Sequence, residues 1–121
     1  MTLAFAILCV AAAVGGLLAI PFLRGKSARR AHWAVALGHG GIGAAGLGVL
    51  VVALWRGVPA SGMGTTGFGP GAAVLLGLTL ALGIAIALMS FRRRPAATLV
   101  AVHASLAIGG LVVLWALVSG G

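Results

Sequence analysis

The sequence predicts an all-α integral membrane protein. Four transmembrane helices form a bundle of two tandem helical hairpins, related by a pseudo-two-fold axis along the membrane normal. Three observations predict it. Of 121 residues 62% are hydrophobic and 7% charged, with eight Lys and Arg and no Asp or Glu; a soluble domain would be about a quarter charged. The apolar residues gather into four runs, each near the ~20 residues that cross a hydrocarbon core as a helix. One pattern of arginine, histidine and small residues then occurs twice.

The first run, Leu3–Leu23, has no basic segment before it and no A-x-A site ahead of the charges that follow, so it is expected to span rather than be cleaved. Its Cys9 has no second cysteine to pair with and reads as a small buried hydrophobe. The second run is Ala34–Leu54. The third, Ala72–Met89, is the shortest and spans with its flanking Gly69–Gly71 and Ser90–Phe91. The fourth is Ala97–Val118. Trp33, Trp55 and Trp115 fall near run ends, where an aromatic belt sits at the headgroups.

Charge sets the expected topology. Arg24, Lys26, Arg29 and Arg30 separate the first two runs, Arg92–Arg94 separate the last two, and Arg56 is the one basic residue elsewhere. Positive-inside bias puts loops 24–32 and 92–95 in the cytoplasm. Both termini and loop 56–69 are then on the outer side of a cell (inner) membrane. The net charge of +8 is accounted for by translocation and anionic lipid, with no nucleic acid.

A constant offset of 64 pairs Arg30 with Arg94, each nine residues before a histidine, His39 and His103. Gly43/Ala107, Gly46/Gly110, Leu47/Leu111, Val49/Val113 and Leu50/Leu114 follow in step. The whole chain, 1–121, reads as one membrane domain: repeat 1 over about 1–56, a loop over 57–69, and repeat 2 over about 70–121. The preceding helices match more loosely, through "IPFLRGK" and "MSFRRR". Gly40, Ala44 and Gly48 give the small-xxx-small spacing of close helix contacts.

Nine residues put each histidine ~13 Å beyond its arginine, near mid-membrane. Facing one another across the axis, His39 and His103 are the axial pair a haem iron takes in a bundle core. Gly43, Gly46, Ala107 and Gly110 would leave a flat slot beside them. His32, two turns before His39, would meet the propionates together with Arg30 and Arg94. The expected function is therefore a small subunit of a larger membrane complex carrying one b-type haem, with quinone as a possible second ligand. At the level of architecture, through its paired histidines and helix count, it resembles the b-type cytochrome anchor subunits of membrane dehydrogenases. That likeness implies electron transfer with other membrane subunits as partners.

The alternative is a cofactor-free bracing subunit. There a serine such as Ser90 or Ser105, or a backbone carbonyl, satisfies each imidazole. A small transporter fits the helix count but lacks the membrane-embedded acid such exporters use. With no carboxylate there is no acid/base pair, hard-cation cage or proton relay of Asp and Glu, so a self-contained enzyme is not expected.

Overall fold

The computed structural model describes residues 1–23, 29–57, 67–90 and 95–119. They form α1 (Thr2–Leu23), α2 (Arg29–Trp55), α3 (Phe68–Ser90) and α4 (Ala97–Ser119). All four are long and apolar enough to cross a membrane, with mean hydropathy from 1.8 for α2 to 2.7 for α1. The value for α2 is lowest because its apolar span, Trp33–Trp55, carries six glycines and His39.

Helix ends follow local chemistry. Pro70 lies in the first turn of α3, where its missing N–H leaves no intrahelical bond unmade. Pro95 and Ala96 precede α4, and the Ala96 carbonyl accepts from Leu99 and Val100. At the far end of α2, Gly57 takes φ +60°, the left-handed conformation that closes a helix and favours glycine. The sequence places the inner end of the second run at Ala34, but α2 starts at Arg29. Arginine and alanine are good helix formers, so the helix extends past the apolar run through the charged residues. Arg24, Lys26, Arg92–Arg94 and most of loop 56–69 lie outside the described residues.

The helices follow one another around the bundle. The two hairpins, α1–α2 and α3–α4, make the most extensive pairings; α2–α3 and α1–α4 close the ring, and α1/α3 and α2/α4 stand diagonally. The core is Ala4, Leu8, Leu50, Ala72, Leu76, Leu114 and Leu117. Every one of these residues belongs to the half of the bundle that holds the chain termini. Large apolar side chains lie exposed on each helix, among them Leu3, Leu17, Val52, Leu78, Leu88 and Val112; such a surface is matched to lipid. Trp33, Trp55 and Trp115 are all exposed.

Close approach within each hairpin depends on a glycine. A Cβ at Gly46 would sit 2.8 Å from Leu8 Cγ and 3.1 Å from Ile7 Cγ2. At Gly110 it would sit 2.8 Å from Leu76 Cγ and 3.4 Å from Leu75 Cβ. The contact is the same in both hairpins. Leu8 and Leu76 are 68 residues apart, and Ala4/Ala72 keep that spacing. The first helices thus carry their own register, four residues out of step with the second helices.

Candidate functional site: the histidine pair

His39 on α2 and His103 on α4 meet across the diagonal of the bundle. Their ring centroids are 6.1 Å apart and the ring planes cross at 76°. Helices α2 and α4 do not pack backbone to backbone; the two imidazoles span the gap.

Each ring is held by the other helix of its own hairpin. His39 Nδ1 lies 2.9 Å from the Ala11 carbonyl oxygen, and His103 Nδ1 lies 3.0 Å from that of Thr79. A carbonyl oxygen can only accept, so in both bonds Nδ1–H donates. Ala11 and Thr79 are themselves 68 residues apart, so both bonds obey the repeat. Ser90 donates to Ile86 in its own helix and Ser105 is exposed. The hydrogen-bonding partners are backbone carbonyls and not the serines.

The other ring nitrogen is different. No described residue hydrogen-bonds Nε2 of either histidine, and among the described residues no buried side-chain nitrogen or oxygen is left without a partner. Both rings are half-buried, so each Nε2 keeps access to space around it. Beyond the histidines, towards the hairpin ends, no residue whose side chain is described is fully buried. The pair therefore sits where the sealed core stops.

The residues expected to line a slot divide. Gly43 and Ala107 are half-buried, and a Cβ at Gly43 would meet nothing within 4 Å. Gly46 and Gly110 are taken up by Leu8 and Leu76, so they serve hairpin packing and leave no gap. Arg30 and His32 lie on the first two turns of α2, with side chains outside the described part. Arg94 is outside the described residues altogether. Among the described residues no group of three or more His, Cys, Asp or Glu could hold a metal ion. A metal here would rely on the two imidazoles and its own remaining ligands, as a porphyrin supplies.

The sequence reading missed Gly15 and Gly83. A Cβ at Gly15 would stand 2.7 Å from His39 Cε1, and one at Gly83 would stand 2.9 Å from His103 Cε1. Their spacing of 68 is the signal that could have found them. In comparison with known proteins, no family model, curated protein or solved structure matches the chain.

Proposed function

We propose that the protein is a small subunit of a larger membrane complex that holds one b-type haem between His39 and His103 and passes electrons to another subunit, a quinone or a second haem. The histidine pair is the observation that carries this. Two imidazoles brought together from facing helices of a bundle would hold a haem iron, and here the ring centroids lie 6.1 Å apart. A histidine that ligates a metal almost always donates its other N–H to a carbonyl or carboxylate, which fixes ring orientation. Both rings do so. The space beside Gly43 and the unsealed hairpin-end half support room for a planar group.

When bound, haem supplies a one-electron iron couple. His39 and His103 would hold it, their rings oriented by the carbonyls of Ala11 and Thr79, and the leucine core would close the terminal side of the site against water. His32, Arg30 and Arg94 are the propionate-side candidates. The basic loops would face the cytoplasm from a cell inner membrane.

The second reading, a cofactor-free brace, is supported by the same two hydrogen bonds, because they tie each hairpin together without any ligand. A dithionite-reduced minus oxidised spectrum of the purified protein in mild detergent separates the two. A sharp α-band of the b type, absent from His39→Ala and from His103→Ala, is the expected result. A flat spectrum from folded protein, persisting after haemin is added, overturns the haem reading in favour of the brace.

A further inference from the structure

We infer that Gly15 and Gly83 are positioning residues. Each opens a window onto one helix carbonyl and thereby fixes its histidine as the Nδ1–H tautomer with Nε2 bare. The argument begins with helix geometry. Side chains tilt toward the helix N-terminus, so the one at position i+4 lies over the carbonyl of position i. The described residues display this at Thr79, whose Oγ1 donates to Leu75 O at 2.8 Å, at Ser90, whose Oγ donates to Ile86 O at 2.7 Å, and at Ser119, whose Oγ donates to Trp115 O at 2.8 Å. A carbonyl in mid-helix is ordinarily screened in this way from a neighbouring helix.

The two carbonyls that receive histidine are those of Ala11 and Thr79. Four residues on from them stand Gly15 and Gly83. At both, the position a Cβ would take is filled by imidazole: Cε1, Nδ1 and Nε2 of His39 come within 2.7, 3.2 and 3.3 Å at Gly15. At Gly83 the same atoms of His103 come within 2.9, 3.5 and 3.8 Å. The carbonyl keeps its intrahelical bond and offers its second lone pair sideways. An imidazole bound there must present N–H at Nδ1, and Nε2 is left as an acceptor. The neighbouring Gly16 makes no such contact.

The inference rests on the haem reading only for what a bare Nε2 is used for; the tautomer itself belongs to the protein without cofactor. The test is ¹⁵N NMR of the histidine side chains in haem-free protein in detergent, well above the usual titration range of histidine. In wild type both rings should show a pyridine-type signal at Nε2, identified by its couplings to Hδ2 and Hε1, and a pyrrole-type signal at Nδ1. Gly15→Ala should move the two signals of His39 toward their average and leave His103 alone. Gly83→Ala, the gentler change, should do the reverse, and Gly16→Ala should move neither. Protonation at Nε2 in wild type overturns the inference, as does an unmoved His39 in Gly15→Ala or an equal effect of Gly16→Ala. Should Gly15→Ala fail to fold, the wild-type tautomer and Gly83→Ala decide it. A flat redox spectrum with fixed Nδ1–H tautomers would sink the haem and leave the windows standing.

Discussion

The hairpin α1–α2 and the hairpin α3–α4 make the same contacts with partly different residues. Beyond the histidine, α2 and α4 each run sixteen residues further to the far helix end, to Trp55 from His39 and to Ser119 from His103. Toward the hairpin ends they part. α2 has 27 residues and α4 has 23, so one extra turn of α2 carries Arg29, Arg30 and His32. The separation between histidine and carbonyl, 28 residues in the first hairpin and 24 in the second, records the same turn. The glycine–leucine notch, the glycine window and the hydrogen bond are kept; the length beyond them is not. What the two halves share is therefore concentrated on the terminal side of the histidines and at the histidines themselves.

Four experiments would break or sharpen that equivalence. Over-filling a packed site costs typically ~1–3 kcal/mol and at times more, and the notches at Gly46 and Gly110 are equally tight. Gly46→Leu and Gly110→Leu should each lower stability by about 3 kcal/mol, measured as unfolding in mixed micelles followed by circular dichroism. A marked difference between them would mean that the hairpins are not packed alike.

The windows are less equal. Gly15→Ala, with 2.7 Å clearance, should cost about 2 kcal/mol, and Gly83→Ala, with 2.9 Å and more room at both ring nitrogens, about 1 kcal/mol. The opposite order would contradict the geometry. Replacing either histidine by Phe keeps the bulk and removes one interhelical bond. Such bonds in membranes average ~0.6 kcal/mol, so each variant of the haem-free protein should lose about that much. A loss of several kcal/mol in only one of them would mark a contact not shared by the repeat.

Thr79→Ala makes the second window match the first. The hydroxyl of Thr79 bonds only within α3, and its carbonyl, not its side chain, holds His103. Thr79 is buried, so the change removes a methyl worth ~0.8 kcal/mol. It gains up to ~0.7 kcal/mol of helix propensity, and the expected net change is within about 0.5 kcal/mol. A larger loss would assign the hydroxyl a part in the histidine site.

Much of this was legible in the residues. The four runs, their spans and the offset of 64 follow from composition and spacing, because in lipid each segment must satisfy its own backbone bonds and helices are the available answer. The histidines could be named, and their opposition follows from the duplicated hairpin. The slot could not be read. Gly46 and Gly110 are small, and smallness alone does not say whether a ligand or a leucine fills the space. Leu8 and Leu76 are two among many leucines, and nothing local marks them as the occupants. The register of 68 in the first helices was hidden because the extra turn of α2 shifts it against the register of 64, and apolar segments of few residue types align weakly.

The sequence by itself determined the class, the number of helices and the repeated polar positions, because burial in hydrocarbon depends on the length and polarity of each segment. Only the tertiary structure decided which glycines are notches and which are windows, which carbonyls hold the imidazoles, and that the sealed core ends at the histidine pair. Those facts depend on which helix lies beside which and at what height. A glycine has no side chain with which to announce its neighbour, so its role exists only once the neighbour has arrived.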